Sequence, residues 1–356
     1  MKKKVAIVGA TGIAGQQFIP ALQDHPWYEI TGLAASARNA GKTYAKALRD
    51  EKTGALRWWC EGFPSTELQG MTVQLADDLD ASQYDVVFTA IDTEPARELE
   101  PKYAQTTPVI STVSAFRMEP DVPMLIPGVN SDHLKLLDAQ RANRGWKGFV
   151  TPIPNCTTCG LAITLAPLHR AFGLDKVIMT SMQAISGAGR SPGVLALDII
   201  DNVIPFISGE EEKVQRETQK LLGTLGNGSV VPADFAVSCT CTRVAVLDGH
   251  TETVVVSTKE PCNVEQAAAA MRAFGKEIAK LPSGPEHLIH VHEDPFHPQP
   301  RVDREAGDGM TTTVGRLRPD SALGGVKYVL LSHNTKMGAA KGAVLVAELL
   351  QQNGYL

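Results

Sequence analysis

Residues 154–160, with the sequence PNCTTCG, carry the side chain best suited to covalent chemistry, the thiol of Cys156. Asn155 precedes this cysteine, and an apolar helical pattern follows it over residues 161–168. A cysteine at the start of a helix lies among backbone N–H groups without helical partners, and these groups favour the thiolate. The thiolate is the nucleophilic form of cysteine, so we expect Cys156 to have a lowered pKa and a covalent role.

A covalent cysteine needs a partner that moves protons, and the chain contains nine histidines. His250 is the best candidate because it follows Arg243 by a strand-like run and a turn, which would bring both side chains to one cleft. Arg243 would hold a carboxylate through two hydrogen bonds, and His250 would act as acid and base. The spacing alone also permits a purely structural role for this histidine.

The chain offers two patterns that resemble metal or redox sites. Four histidines lie in a proline-rich segment, at His287, His290, His292 and His297. Cysteines form the pairs Cys156-x-x-Cys159 and Cys239-x-Cys241, and the second pair is too closely spaced for an ordinary zinc site. Neighbouring histidines in loops are usually surface residues, and most cysteines are small buried hydrophobes. We therefore expect no metal.

The N-terminus carries a nucleotide-binding pattern. A strand over residues 5–8 leads into residues 9–15, GATGIAG, and then into a helical pattern. Glycines at this spacing let the backbone approach a pyrophosphate, which then lies on the helix N-terminus. A tight turn alone is the alternative interpretation. We predict that the following residues bind a dinucleotide: Gly9, Thr11, Gly12, Ile13 and Gly15.

The end of the second predicted strand, at residues 29–35, indicates which dinucleotide is bound. NAD sites usually place an acidic residue there for the ribose 2′-OH, but this chain has Ser36, Arg38 and Lys42. A hydroxyl and two cations would bind a 2′-phosphate, with no carboxylate in this stretch to repel it. NADP is therefore favoured over NAD, although these residues would also suit an ordinary exposed surface.

Length and pattern together predict two domains in a 356-residue chain. Apolar runs alternate with helical patterns over residues 1–150, which is typical of a parallel sheet. Later segments predict a second, α+β domain, with strand patterns at 176–185, 239–247, 252–258 and 311–317. A possible turn at Asp248-Gly249 separates the strands predicted at 239–247 and 252–258. A helix over 339–351 is expected to return to the first domain.

Composition limits the classes of protein. The chain is 43% hydrophobic and 21% charged, with a net charge of −5, so it has no basic field for nucleic acid or an anionic membrane. We recognise no signal peptide and no apolar run of the roughly 20 residues needed to span a bilayer. These features predict a cytoplasmic protein.

Five motifs occur in order and carry a family resemblance. They are Gly9-Ala10-Thr11-Gly12-x-x-Gly15, Pro154-Asn155-Cys156-Thr157-Thr158, Gln183-x-x-Ser186-Gly187-Ala188-Gly189, Glu210-x-x-Lys213 and Arg243-x6-His250. Together they resemble the aspartate-β-semialdehyde dehydrogenase family, in its archaeal and fungal branch. The resemblance covers nearly the whole chain. It implies a Rossmann-like NADP-binding domain over residues 1–154, completed by residues 335–356. It also implies a catalytic and dimerisation domain with a mixed sheet over residues 155–334, in a homodimer or homotetramer.

The resemblance also implies a reaction and a set of roles. Cys156 would attack the acyl phosphate of aspartyl-4-phosphate, and the resulting thioester would be reduced by NADPH to the aldehyde. His250 would be the acid and base, and Gln183 would orient the intermediate. The implied substrate ligands are Arg243 for the α-carboxylate, Glu210 for the α-amino group, and Arg117, Asn155 and Lys213 for the phosphate. Ser186, Gly187 and Asn334 would contact the cofactor.

Two positions depart from the family pattern, and three other functions remain open. Ile153 stands where the family often has a polar residue, and Cys159 lies one helical turn after the nucleophile, where it could form an oxidative lock or simply pack. A malonyl-CoA or succinyl-CoA reductase and an N-acetyl-glutamyl-phosphate reductase share the cysteine and histidine chemistry, but neither needs Glu210 as an amine partner. A non-catalytic NADP-binding regulatory protein would need neither Cys156 nor His250.

Overall fold

The computed structural model describes residues 1–188 and 196–356, without the side chains of residues 196 and 197. The chain divides into two compact units. The first consists of Met1–Met124, Leu134–Ile153 and Ala339–Leu356, and the second of Leu125–His133 and Pro154–Gly338.

The first unit is built on a six-stranded parallel sheet with the order β3-β2-β1-β4-β5-β6. Its strands are β1 Lys3–Val8, β2 Tyr28–Ala35, β3 Gln74–Leu75, β4 Val86–Thr89, β5 Val109–Ser111 and β6 Val150–Pro152. The residues of β1 from Val5 to Val8 are all fully buried, as expected of a parallel strand that is covered on both faces. This is the strand order of doubly wound dinucleotide-binding folds, in which ligands bind beyond the carboxyl ends of β1 and β4, where the order reverses.

Helices pack around this sheet. They are α1 Ile13–Gln16, α2 Phe18–Leu22, α3 Tyr44–Ala47, α4 Thr66–Gly70, α5 Thr93–Ala104, α6 Leu136–Arg144 and α12 Ala340–Gln352, with 3₁₀ turns at Ala76–Asp78 and Ala81–Gln83. The C-terminal helix α12 belongs to this unit. A buried hydrogen bond holds it there, since Nε2 of His25 lies 2.8 Å from Oε1 of Glu348.

The second unit contains a seven-stranded mixed sheet with the order β13-β14-β15-β12-β7-β11-β8. Its strands are β7 Leu174–Gln183, β8 Val203–Ile204, β11 Ala236–Val244, β12 His250–Thr258, β13 Ile289–Val291, β14 Thr312–Pro319 and β15 Val326–Ser332. A separate two-stranded ribbon is formed by β9 Thr224–Leu225 and β10 Val230–Val231. The described helices of this unit are α7 Cys156–Phe172, α8 Ala196–Ile199, α9 Glu210–Leu221, α10 Val264–Ala273 and α11 Pro300–Asp303, with 3₁₀ turns at Ile185–Ala188 and Lys276–Lys280.

The pairing of β7 with its neighbours determines where the site lies. Strand β11 runs parallel to β7, so Arg243 is opposite Gln183 at the ends of both strands. Strand β12 runs antiparallel to β7, so it begins at His250 where β7 ends. Strand β15 ends beside the start of β12, with Ser332 opposite His250. The ends of β7, β11 and β15 and the start of β12 therefore lie side by side at one end of the sheet.

Three local features of the structure were not predicted from the sequence. The strands predicted on either side of Asp248-Gly249 do not pair with each other, because β11 and β12 lie on opposite sides of β7. Residues 58–70, which gave no clear signal, end in α4, whose first turn is capped by Ser65. Segment Leu125–His133 belongs to the second unit, because Arg170 of α7 donates to the carbonyls of Gly128 and Val129.

Within the described residues, every helix is too short or too polar to cross a membrane.

Candidate active site

Cys156 is the first residue of α7, at a helix start capped by its neighbour. The side-chain oxygen of Asn155 accepts the backbone N–H groups of Thr157 and Thr158, at 2.9 and 3.1 Å. This cap fixes the first helical turn and places Cys156 in the positive field of the helix N-terminus. Cys156 is partly exposed, whereas the next residues of the helix are buried. The predicted nucleophile is therefore both accessible and in a field that favours its anion.

His250 is the partner of this sulfur. Its Nε2 lies 3.2 Å from Sγ of Cys156, and its Nδ1 accepts the backbone N–H of Ala184 at 3.1 Å. Because Nδ1 uses its lone pair in this bond, the hydrogen-bond network assigns the proton of the neutral ring to Nε2. Complete burial, and then Arg243 and His333, lowers the pKa of His250 to about 3. The ring is thus neutral near pH 7, with its Nε2–H directed at the sulfur.

Arg243 lies in the same site, and one N–H donor of its guanidinium group has no hydrogen-bond partner among the described residues. Its Nη1 donates to the carbonyl of Ala184 at 2.7 Å and approaches Oε1 of Gln183 at 3.5 Å. The residue is only 5% exposed, and its buried Nε has no hydrogen-bond partner in the described part of the chain. A buried guanidinium N–H without a partner is costly, so this position suits an anionic ligand.

Glu210, the first residue of α9, gathers the polar side chains around Cys156. Its Oε1 accepts from Nδ2 of Asn155 at 2.9 Å, from Nε2 of Gln183 at 3.1 Å and from Oγ1 of Thr157 at 3.3 Å. Lys213, one turn further along α9, is exposed, and in the described residues it makes no salt bridge with Glu210. The structure therefore brings Glu210 together with the site but leaves Lys213 at the surface of α9.

Several residues that form this site were not predicted from the sequence. Oε2 of Glu217, two turns after Glu210 on the same helix, accepts the backbone N–H of Asn155 at 2.7 Å. A Cβ atom at Gly338 would lie 2.9 Å from Cβ of Cys156, so glycine is needed for this close packing. Glu252 is completely buried on β12, and burial followed by the charge of Glu210 raises its pKa well above the usual value. The seven-residue spacing of Glu210 and Glu217 was the one available sequence signal.

Ser186, Gly187 and Asn334 lie around the histidine. Asn334 accepts the N–H of Gly249 at 2.8 Å and donates to Oγ of Ser186 at 2.8 Å, so it ties the turn before His250 to the loop after β7. Gly187 packs directly on the site, since an added Cβ would lie 3.1 Å from Cε1 of His250 and 3.0 Å from Nη1 of Arg243. Gly189 of the same motif lies outside the described residues.

The glycine loop of the first unit has the conformation that a dinucleotide requires. Gly9 has φ +89°, and a Cβ there would lie 2.2 Å from the carbonyl oxygen of Ala90. A Cβ at Gly15 would lie 2.0 Å from the carbonyl oxygen of Gly9, so this glycine allows the helix to pack closely on the strand. Gly12 is exposed, and its missing side chain would meet only the Gly9 oxygen, at 3.4 Å. The open backbone at Gly12, followed by an uncapped helix start at Ile13, fits a pyrophosphate.

One further contact fixes the loop, and the cationic residues lie beyond β2. Oγ1 of Thr11 accepts from Nδ2 of Asn39 at 2.9 Å. Ser36 and Arg38 are exposed, but Nζ of Lys42 lies 2.5 Å from Oε1 of Glu51. The stretch after β2 itself contains no carboxylate, but the fold brings that of Glu51 to Lys42. No sequence pattern indicated this contact, because Glu51 follows Lys42 by nine residues.

Arg117, predicted as a phosphate ligand, belongs to the first unit and is buried there. Its Nε donates to the carbonyl of Ile153 at 3.0 Å and its Nη2 to the carbonyl of Thr112 at 2.9 Å. These bonds attach Arg117 to the ends of β5 and β6.

Comparison with known families agrees with the arrangement of the two units. Residues 4–137 match the family described as semialdehyde dehydrogenase, NAD binding domain. Residues 165–337 match the family described as semialdehyde dehydrogenase, dimerisation domain. The chain thus has a Rossmann-like NAD(P)-binding domain and a second domain with a mixed sheet, which confirms the predicted fold class.

Individual relatives are similar over the full length. An aspartate-semialdehyde dehydrogenase from Archaeoglobus fulgidus is 45% identical over 351 residues, which is 98% of both chains. One from Candida albicans is 40% identical over 99% of both chains. A crystal structure of aspartate semialdehyde dehydrogenase with NADP from Candida albicans superposes with a TM-score of 0.89 and 37% identity over 100% of both chains. The structure of aspartate semialdehyde dehydrogenase II complexed with ASA from Vibrio cholerae gives a TM-score of 0.76 and 27% identity over 99% of both chains. The chain therefore belongs to the aspartate-semialdehyde dehydrogenase family.

Proposed function

We propose that this protein is an NADP-dependent aspartate-semialdehyde dehydrogenase. It would convert aspartyl-4-phosphate to aspartate-4-semialdehyde by reductive dephosphorylation, in the biosynthesis of lysine, threonine and methionine. The observation that carries this proposal is the pair formed by Cys156 and His250, with 3.2 Å between Sγ and Nε2 at an accessible helix N-terminus. The full-length relatives of the same name support the choice of substrate.

Cys156 would begin the reaction as a thiolate. Its sulfur attacks the acyl carbon of the substrate, the C–O bond to phosphate breaks, and phosphate leaves with the electron pair of that bond. The product is a thioester on Cys156. A thiolate is both a good nucleophile and an acceptable leaving group, so it divides the reduction of an acyl phosphate into two easier steps.

His250 would stabilise negative charge near the sulfur throughout the reaction. When bound, NADPH supplies the hydride that reduces the acyl group held on Cys156. The Nε2–H of His250 donates first to the thiolate and then to oxygen that becomes negative on the neighbouring carbon. Collapse of that group to the aldehyde breaks the C–S bond and returns the electron pair to the sulfur, so the cysteine is regenerated as a thiolate. Gln183, held beside His250 by strand pairing, would orient the acyl group.

Arg243 and Glu210 would select the amino acid. The unpartnered Nε of Arg243 suits the α-carboxylate. Glu210, whose carboxylate is oriented by Asn155 and Gln183, suits the α-amino group. Asn155 would also contact the phosphate, and we keep the roles implied by the family resemblance for Arg117 and Lys213 as phosphate ligands.

The cofactor site would use the glycine loop and the cations after β2. Gly9, Thr11, Gly12, Ile13 and Gly15 would hold the pyrophosphate, and Ser36, Arg38 and Lys42 would hold the 2′-phosphate of NADP. Ser186, Gly187 and Asn334 would contact the nicotinamide half. The first unit would be the cofactor domain, and the second would be the catalytic and dimerisation domain of a homodimer or homotetramer. A cytoplasmic location is consistent with cysteines that form no disulfide among the described residues.

The substrate is tested by assaying NADP reduction in the reverse direction. We expect reduction with aspartate semialdehyde that depends on inorganic phosphate. CoA-dependent activity with malonate or succinate semialdehyde would indicate an acyl-CoA reductase instead. Phosphate-dependent activity with N-acetyl-glutamate semialdehyde alone would indicate an N-acetyl-glutamyl-phosphate reductase. NADP binding without any turnover would indicate a regulatory protein.

The covalent mechanism is tested by Cys156→Ala. We expect this variant to lose turnover while it retains NADPH binding, measured by the fluorescence of the bound reduced dinucleotide. Cys262→Ala is the matched control, because Cys262 is a free, partly exposed cysteine of the same unit, and it should keep full activity. Substantial activity in Cys156→Ala would contradict a thioester intermediate.

A further inference from the structure

We propose a divalent metal site, formed by His292, His297 and Asp303, on the second unit. It is independent of the proposed function, and it concerns residues for which the sequence predicted no metal. One ligand atom from each of the three side chains lies within 4.8 Å of the others. The side chains are 16%, 28% and 10% exposed, so the cluster is accessible to an ion but sheltered from bulk water.

The three ligands come from consecutive pieces of chain that fold onto one another. His292 follows the last residue of β13, His297 lies in the next loop, and Asp303 ends α11. The rings of His292 and His297 are stacked with 4.8 Å between their centroids. The two rings are thus in contact with each other, and each has a nitrogen within reach of the Asp303 carboxylate.

The three groups are within reach of one ion, which would replace the present hydrogen bond between His297 and Asp303. Nδ1 of His297 lies 2.7 Å from Oδ2 of Asp303, and Nε2 of His292 lies 3.8 Å from Oδ1 of the same residue. Bonds of about 2.0–2.1 Å in tetrahedral geometry separate two ligand atoms by about 3.4 Å. The observed distances lie on either side of this value, so small side-chain rotations would complete the site.

His292 provides the independent observation that points to a ligand. Its Nε2 is buried and has no hydrogen-bond partner among the described residues. A buried ring nitrogen in this position is unfavourable unless it gains a partner, and the carboxylate of Asp303 is too distant to bond it directly. An ion between the two would satisfy both groups.

The neighbouring residues and the donor set suit a transition metal. Nε2 of His297 lies 3.9 Å from Oδ2 of Asp294, so a carboxylate stands behind the ring when Nδ1 binds an ion. Such a carboxylate orients metal-binding histidines in many proteins. Two imidazoles and a carboxylate are typical ligands of Zn²⁺ and of similar first-row ions, with water in the remaining position.

An ion at this site would stabilise a segment that packs against the turn before His250. A Cβ at Gly249 would lie 3.3 Å from Cβ of Arg304 and 3.7 Å from Cβ of Pro300. Asp303 lies between these two residues on α11. Metal binding is therefore expected to raise thermal stability by tying α11 to the end of β13.

The experiment measures Zn²⁺ binding to the full chain in a Cys156→Ser background, which removes the thiolate as a competing ligand. We expect one Zn²⁺ per chain by competition with a chromophoric chelator, together with a rise in Tm. We also expect Co²⁺ to give a d–d spectrum without a thiolate charge-transfer band. Adding His292→Gln or Asp303→Asn should weaken binding by about tenfold or more. Adding His287→Gln should not, because that side chain is 56% exposed and lies outside the cluster.

Folding of each variant is verified by its circular dichroism and its Tm without metal. Asp303→Asn preserves the shape of the side chain, so it tests the site even if His292→Gln is unstable. Absence of Zn²⁺ binding in the Cys156→Ser protein would overturn the proposal. Binding of unchanged affinity in both cluster variants would overturn it equally.

Discussion

The backbone N–H of Ala184 donates to Nδ1 of His250 over 3.1 Å, and this bond determines which ring nitrogen carries the proton. An imidazolium would place a second N–H against the same donor, so the bond disfavours protonation of the ring. Burial acts in the same direction. The site therefore combines a neutral histidine with the sulfur of Cys156, rather than an imidazolium with a thiolate.

The first prediction concerns pH. The pKa of His250 is lowered from 6.5 to about 3, so between these two values the unfolded chain binds a proton that the native chain does not. Stability contributed by the neutral ring is complete above about pH 6.5 and is lost as the pH falls towards 3. Urea unfolding of the native protein at several pH values should show a falling midpoint across this window.

His250→Asn serves as the control for this titration, since it removes the ionisable group. Its unfolding midpoint should depend less steeply on pH over the same window. An identical slope in the two proteins would mean that His250 does not contribute.

A second prediction concerns Gly187→Ala. The new methyl group would come within 3.1 Å of the ring of His250 and 3.0 Å of Arg243, so one of these side chains must move. Displacement of a catalytic group by a fraction of an ångström is costly, and we expect kcat/KM to fall by about tenfold or more. Gly70→Ala is the control, because a Cβ at Gly70 has no atom within 4 Å. Equal activity of the two variants would show that the space around His250 is not limiting.

The Lys42–Glu51 ion pair gives a third prediction, on cofactor preference. If Lys42 binds the 2′-phosphate, Glu51 competes for the same ammonium group. Because the pair is largely exposed, Glu51→Gln should lower the KM for NADP by only about two- to fivefold. Lys42→Gln should raise it, and the KM for NAD should stay constant in both.

High salt provides the check on this electrostatic explanation. The difference between Glu51→Gln and the native protein should shrink as ionic strength rises. A parallel change in the KM for NAD would contradict a specific effect on the 2′-phosphate.

The fourth prediction is that Cys159 packs and does not react. It is 3% exposed, its Sγ lies 3.7 Å from the carbonyl oxygen of Met337, and burial raises the pKa of its thiol. Iodoacetamide should therefore alkylate Cys156 but not Cys159 in the native protein, as peptide mass analysis would show. Cys159→Ala should retain most of the activity. Recovery of a Cys156–Cys159 disulfide after mild peroxide treatment would instead establish the oxidative lock.

Features with local causes were predictable from the sequence. The glycine loop follows from the strand before it and the helix after it, and the position of Cys156 follows from the Asn155 cap and the apolar pattern beyond it. These signals lie within about a dozen residues of each other, which is the range over which periodicity and capping act.

The assembly of the site depends on strand pairing and backbone contacts, which no sequence pattern indicates. Gln183 and Arg243 are opposite each other because β11 pairs with β7 in parallel register, although the two residues are 60 positions apart in the chain. The turn at Asp248-Gly249 suggested a hairpin, yet the two strands are separated by β7. Ala184 acts through its backbone, and backbone groups have no signature in the sequence.

Several strands of the mixed sheet end or begin side by side, and this arrangement has an evolutionary consequence. Gln183 ends β7, Arg243 is the last residue but one of β11, and His250 begins β12. A substitution at one of them therefore leaves the hydrogen-bonded ladder of the other strands intact. An ancestor could thus exchange the group that selects the acyl chain while the sulfur and its imidazole stayed in place. New substrate specificities would arise by point mutation at these strand ends, without any change in the topology of the sheet.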